Sequence, residues 1–286
     1  MEDKFKITKG KIKDCLSSYA NNTGGFTSIS IVGSHAEDEK LMEKVNDVDI
    51  VFIFSELNPE RYRALTDFIE KFCVSETVPG FGVIMETRFG PFKTASDQEI
   101  TFQLHCLIFD VKGFEDYTKK SPLVVFDWQR FSPLYGKRIE KISLMPGITS
   151  KAIITARGGI DYSLEQIREG VNIAIRVQFT PKGKLERVIE KFLQTIEQKA
   201  ETCYKSPYNI LLNMWKLNRG VNQKPDDEEL FDYSMGILGE DVKSKFLELK
   251  HTYKDARAGI DIKEVELARC QEISLNLLER MKLTLI

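Results

Sequence analysis

ISIVGSHAEDEKLMEKVNDVDIVFIF, residues 29–54, decides how the rest of the chain is read. A β-branched run, Ile29, Ile31 and Val32, stops at Gly33–Ser34, as a strand does when it reaches a turn. A charged segment follows with Leu41, Met42 and Val45 as its apolar positions, the pattern of a short helix. Asp47-Val48-Asp49 then leads into a second apolar strand, residues 50–54. Side chains alternate faces along a strand, so Asp47 and Asp49 share one face while Val48 and Ile50 take the other, toward the core. Two carboxylates roughly 7 Å apart on one strand repel each other unless a cation sits between them. The pair costs stability and offers a place for chemistry. Ser34 with Glu37 three residues later also fits a capping box, and a capped helix start is itself an anion site.

Strand, Gly33–Ser34, short helix and Asp47-x-Asp49 on the next strand together resemble the signature of the nucleotidyltransferase superfamily, the DNA polymerase β-like fold. The resemblance implies that Gly33 and Ser34 hold the triphosphate of a bound nucleotide and that Asp47 and Asp49 carry a divalent metal, usually Mg2+. The residue types suit those roles. Oxygen ligands suit magnesium, and metals can clamp the attacking and leaving oxygens of an in-line displacement at phosphorus. Gly33 lets backbone approach phosphate, and the helix start presents free N–H groups.

Members of that family commonly carry a third acid on a later strand, as general base or further ligand. Here residues 81–89 and 100–109 read as two strands joined by GPFKTASDQ. On the second, Ile100, Phe102, Leu104, Cys106 and Ile108 share one face, and Thr101, Gln103 and His105 the other. No acid stands on that polar face. The candidates for the proton acceptor are therefore His105, expected beside the aspartates, and Glu86 on the neighbouring strand, with Glu99 where the later strand starts. An unperturbed imidazole pKa of about 6.5 suits a proton acceptor at neutral pH. A histidine in a strand is otherwise a half-buried structural residue.

Composition sets the outer bounds. At 286 residues the chain can bury a full core and is expected to hold two domains, with 42% apolar and 29% charged residues. A formal net charge of −2 gives no basic footprint for nucleic acid. No apolar run fits a signal peptide or a membrane span. Five scattered cysteines without a C-x-x-C pair point to a reducing, cytoplasmic setting and away from structural zinc. Three dispersed histidines are too few for a histidine-based metal centre.

In chain order, residues 4–20 read as a helix with Ile12, Leu16 and Tyr19 on one face, ended by Gly24–Gly25. Asn58–Pro59 starts another, with Tyr62, Leu65, Phe68, Ile69 and Phe72 at helical spacing. Residues 110–160, with Pro122, Pro133, Pro146 and Gly147, read as a less regular connection. From Ser163 onward the pattern reads as helical: Leu164, Ile167, Val171, Ile175 and Phe179, then Leu185, Val188, Ile189, Phe192 and Ile196 after TPKG at 180–183. A helix starting at Pro207 and amphipathic helices near 227–238, 240–257 and 263–282 complete the chain.

The expected fold class is thus an α/β (α+β) nucleotidyltransferase domain with a mixed sheet, residues 1–140, followed by an all-α helical bundle domain, residues 150–286. Ser132-Pro133-Leu134-Tyr135-Gly136, and Pro207-Tyr208-x-x-Leu211-Leu212-Asn213 ending in Arg219–Gly220, resemble stretches of aminoglycoside-type small-molecule nucleotidyltransferases. That resemblance implies transfer of a nucleoside monophosphate from a magnesium-bound nucleoside triphosphate, ATP as the first expectation, to a hydroxyl of a small-molecule acceptor such as an aminoglycoside-like antibiotic. The acceptor is expected near Gly136 and the helix at 207–219. Membrane and nucleic-acid partners are not expected. The acidic run Asp226-Asp227-Glu228-Glu229 reads as a helix start or as a patch for a cationic acceptor. Two alternatives stand beside this: a degenerate module that binds nucleotide or a partner without catalysis, and a toxin-like enzyme that nucleotidylates protein or tRNA.

Overall fold

The structure is a computed structural model that describes residues 2–36, 45–90, 100–220 and 225–286. The short helix expected around Leu41 and Met42, the Glu37 partner of Ser34, Glu99 and nearly all of the 90–98 connection lie outside the described residues. The chain divides into two compact units. One comprises Met1–Thr118, Asp127–Met145 and Ala174–Glu190; the other comprises Lys119–Phe126, Pro146–Ile173 and Lys191–Ile286.

The first unit is built on a mixed five-stranded sheet. Its strands are β1 (Phe26–Val32), β2 (Val45–Phe54), β3 (Phe81–Glu86), β4 (Ile100–Asp110) and β5 (Tyr135–Gly136), in the order β3-β4-β2-β1-β5. β2 runs antiparallel to β1 and parallel to β4, and β3 is parallel to β4. Two helices, α1 (Glu2–Thr23) and α2 (Pro59–Glu76), cover one face. Ile12 and Leu16 of α1 and Leu65 and Ile69 of α2 pack there against Val48, Ile50 and Phe52 of β2 and Phe102, Leu104 and Cys106 of β4. The period-two alternation of β2 and β4 is therefore the period of this core. Asn58 caps α2 by accepting the Arg61 N–H at 2.9 Å, with Pro59 at the first helical position.

The opposite sheet face changes character along the strands. Val51, Ile53, Leu107 and Phe109 are buried. An aromatic group that includes Phe89, Phe114 and Tyr117 gathers around Phe109, with ring centroids 4.9, 5.5 and 5.1 Å away. Toward the N-terminal half of β2 and β4 the same face carries Asp47, Asp49, Gln103 and His105. At the far edge, Gly136 of β5 lies against the Thr27 carbonyl, where a Cβ would collide, and its φ is 79°. The Ser132–Gly136 stretch thus adds an edge strand to the sheet, with Leu134 N–H to Ile29 O at 2.8 Å and Lys137 N–H to Thr27 O at 2.9 Å.

Two local expectations are corrected. Residues 110–160 contain three α-helices, α3 (Val111–Lys120), α4 (Pro122–Trp128) and α5 (Ser150–Thr155), and α6 (Ile160–Glu169) begins where they end. Pro122 starts a helix rather than breaking one, since the first turn needs no N–H from it. Residues read as helical from Val171 to Phe192 form a hairpin instead, β6 (Val171–Phe179) and β7 (Leu185–Leu193). Val171, Ile173, Ile175, Val177 and Phe179 alternate strictly, and TPKG closes a turn with Gly183 N–H to Thr180 O at 2.8 Å. Ile175 also pairs with Phe89, by N–H to O contacts of 2.7 and 2.8 Å in the two directions.

The second unit has a separate helical core. α7 (Ile196–Arg219), α8 (Asp227–Leu238), α9 (Val242–Arg257) and α10 (Glu264–Leu285) surround residues such as Leu211, Phe231, Phe246 and Leu277. α7 begins at Ile196, not at Pro207. Thr195 and Gln198 form a capping box, and Pro207 sits buried inside the helix. No helix among the described residues is long and apolar enough to cross a membrane.

Candidate active site

Strand register brings the acidic residues together in one row. Asp49 of β2 lies opposite Val32 of β1 on one side and His105 of β4 on the other, and His105 lies opposite Glu86 of β3. Gly33 follows Val32 directly, so the turn begins where the row reaches β1. One row away, Asp47 faces Gln103, whose Nε2 donates to Asp47 Oδ1 at 3.3 Å. One ligand atom each from Asp47, Asp49 and His105 lie within 4.8 Å of one another.

Gly33 is tied to this geometry for two reasons. Its φ is 75°, a region that L side chains rarely adopt, and a Cβ there would collide with Asp49 Oδ2. The Ala36 N–H returns to the Gly33 carbonyl at 3.2 Å, closing the turn through Ser34 and His35. The turn and the carboxylate beside it are therefore one structural unit. The missing side chain leaves Asp49 Oδ2 room that any other residue would fill.

His105 is buried, and protein acceptors meet both of its ring nitrogens. Nδ1 lies 2.7 Å from Asp49 Oδ1, and Nε2 lies 2.7 Å from the Arg88 carbonyl oxygen, to which it can only donate. Burial by itself depresses a histidine pKa. Here the hydrogen bond to Asp49, the charges of Asp49 and Asp47 and the Arg88 carbonyl outweigh it and hold the imidazole up to about 9. That shift favours the protonated ring, whose positive charge opposes those of the two carboxylates.

Glu86 is also committed. Its Oε1 accepts from Arg88 N at 2.8 Å and Nε at 2.9 Å, and its Oε2 accepts from Nη2 at 2.6 Å. Burial raises its pKa, but Arg88 more than compensates, with His105 adding to the effect, and the carboxyl stays below its ordinary range. Arg88 thus holds Glu86 through its side chain and its N–H, and His105 through its carbonyl. The next residue, Phe89, is fixed by the hairpin. No motif marked Arg88 in the sequence. The signal present was its position two residues beyond Glu86 at a strand end, followed by an aromatic.

The chemistry of the donor set fits a divalent cation. Two carboxylates and an imidazole converge on one point of a sheet face, and carboxylate and imidazole are both ordinary ligands for such ions. The acidic run of α8 is occupied otherwise. Asp226 caps the helix, accepting Glu229 N–H at 2.8 Å, while Asp227 takes the Tyr208 hydroxyl at 2.8 Å and Lys250 Nζ at 2.6 Å.

A solved structure of spectinomycin adenyltransferase AAD(9) from Enterococcus faecialis, with ATP and spectinomycin, is similar over 97% of this chain and 99% of that one, with a TM-score of 0.51 and 12% sequence identity. The chain shares the fold of that enzyme. The likeness spans both the sheet and the helical C-terminal region. No protein-family model and no curated protein sequence matches the chain.

Proposed function

We propose that this nucleotidyltransferase-fold protein is an active, metal-dependent enzyme that transfers a nucleoside monophosphate from a nucleoside triphosphate, with ATP as donor, to a hydroxyl of a small aminoglycoside-like acceptor. The observation that carries the reading is the convergence of Asp47 and Asp49 beside the Gly33 turn, on the second strand of a fold whose solved neighbour was crystallised with ATP and spectinomycin. On this reading Asp47 and Asp49 hold the divalent cation, Mg2+ as the expectation for carboxylate ligands, and Gly33 and Ser34 receive the triphosphate. The cation would neutralise phosphate charge and orient the transferred group.

The protein's own part is positioning. Gln103 holds Asp47, His105 holds Asp49, and Gly33 keeps the space beside Asp49 Oδ2 clear. Phosphoryl-type transfer through a loose transition state depends chiefly on alignment and electrostatic stabilisation, so a strong base is not its main requirement. Glu86 and His105, the two expected catalytic residues, then act on the site through hydrogen bonds: His105 on Asp49 directly, and Glu86 through Arg88. A second reading, a nucleotide-binding module without transfer, is favoured by one observation: the polar face of β4 carries Gln103 and His105 and no third acid.

Incubation of the full chain with each of the four α-labelled triphosphates and divalent metal, with and without aminoglycosides and spectinomycin, separates the two. Acceptor-dependent labelling with pyrophosphate release is expected. Metal-dependent nucleotide binding without labelling of any acceptor supports the binding module. Label appearing on protein or tRNA alone would replace the small-molecule acceptor.

A further inference from the structure

We propose that His105 is a protein ligand of the same cation, through Nδ1, so that the site takes a first-row transition metal of the manganese type in preference to magnesium. This rests on the reading above that Asp47 and Asp49 bind a divalent cation, and it adds the third ligand and the selectivity.

Three features of the structure carry it. The imidazole stands in the row between Asp49 and Glu86 on a central strand, its Nδ1 lies 2.7 Å from Asp49 Oδ1, and a ring nitrogen lies within 4.8 Å of ligand atoms of both aspartates. Its other nitrogen donates to a backbone carbonyl, Arg88 O, at 2.7 Å. Metal-bound histidines characteristically give their second ring N–H to such an acceptor, which fixes the tautomer and turns the lone pair toward the metal. That acceptor is itself held in place. Arg88 is clamped by Glu86 through three hydrogen bonds, and Phe89 is paired to Ile175 in both directions. The ring is buried and held at both nitrogens, by Asp49 Oδ1 and the Arg88 carbonyl.

Selectivity follows from the donor set. Magnesium prefers oxygen ligands in a near-ideal octahedron and retains its waters, whereas an imidazole nitrogen favours first-row transition metals. A histidine beside two aspartates supplies a nitrogen where a third carboxylate would supply an oxygen. It also leaves the ligand set one negative charge poorer, which weakens the hold on magnesium most.

The test uses the full chain loaded with Mn2+ alone. Pulsed electron paramagnetic resonance should detect a histidine nitrogen coupled to the bound ion, with the 14N signal replaced by 15N when the histidines are labelled. Asp49→Asn should abolish that coupling, which assigns it to this site. By competition titration, His105→Asp should lower the preference for Mn2+ over Mg2+ by roughly tenfold or more, the scale on which ligand-shell changes act. Mn2+ bound without nitrogen coupling in the wild-type protein would overturn the proposal and leave the two-aspartate metal site standing, with His105 as its counter-ion only. Failure of the chain to bind Mn2+ or Mg2+ at all would overturn both.

Discussion

β2 and the hairpin β6–β7 both support the acidic row, yet they disclose themselves in the sequence very differently. β2 declares its faces. Asp47 and Asp49 alternate with Val48 and Ile50, and the buried half of that pattern packs under α1 and α2 as period two requires. The hairpin disguises itself. Val171, Ile175 and Phe179 recur every four residues, a spacing that one face of a helix and one face of a strand both satisfy. Ile173 and Val177, lying between them, break the tie in favour of a strand. Residues touching the chemistry stand out by type, while residues that fix them in place stand out only by pattern.

The largest effect should fall on the legible side. Asp47→Asn keeps shape and removes a charged oxygen ligand, and should cut metal-dependent transfer by roughly a hundredfold or more, several kcal/mol of transition-state stabilisation. Steady-state pyrophosphate release, with thermal unfolding as the control for folding, measures it. Near-normal turnover in a folded variant would remove the metal role from β2.

Gly33→Ala comes next, because it strikes the turn and the carboxylate together. The positive φ and the collision with Asp49 Oδ2 predict a loss of about 1–3 kcal/mol in denaturant unfolding and weaker metal binding by calorimetry. Unchanged stability and metal affinity would mean that the turn and Asp49 are not one unit. The same collision means that loss of nucleotide affinity in a Gly33 variant does not by itself locate the phosphates.

Ile175→Pro tests the concealed side. It removes the N–H that Phe89 O accepts at 2.7 Å and should cost about 1–3 kcal/mol of stability. Through the Arg88 carbonyl it should also weaken metal affinity, though less than Asp47→Asn does. A stability loss with unaltered metal affinity would uncouple the hairpin from the site.

The smallest effect is a pH dependence at Glu86. Its carboxyl is depressed in the folded protein, so the pair with Arg88 contributes stability that is complete above the ordinary carboxyl pKa of 4.5 and is lost as pH falls through the lower folded value. The stability gap between wild type and Glu86→Gln should therefore be full at pH 7 and shrink through that acid range. A gap independent of pH down to full protonation would place its origin in packing.

How much was legible follows physical lines. The sheet face, the Gly33 turn and the nearness of His105 to Asp49 could be read, because strand parity leaves few places for a side chain to go. What His105 does there was not legible: its partners are a carboxylate on β2 and the main-chain carbonyl of Arg88, and a carbonyl carries no sequence signature. The continuity of α7 through Pro207 is hidden for a related reason. Proline signals a helix start locally, and only the Thr195–Gln198 capping box upstream shows that the helix has already begun.

The central claim is that the Asp47–Asp49 row holds a metal–nucleotide complex. Titration calorimetry of ATP into the full chain, with divalent metal and with chelator, for wild type and Asp49→Asn, tests it most directly. Binding should require metal and be lost in Asp49→Asn while the thermal transition persists. ATP binding that is indifferent to chelator and unchanged in Asp49→Asn would contradict it.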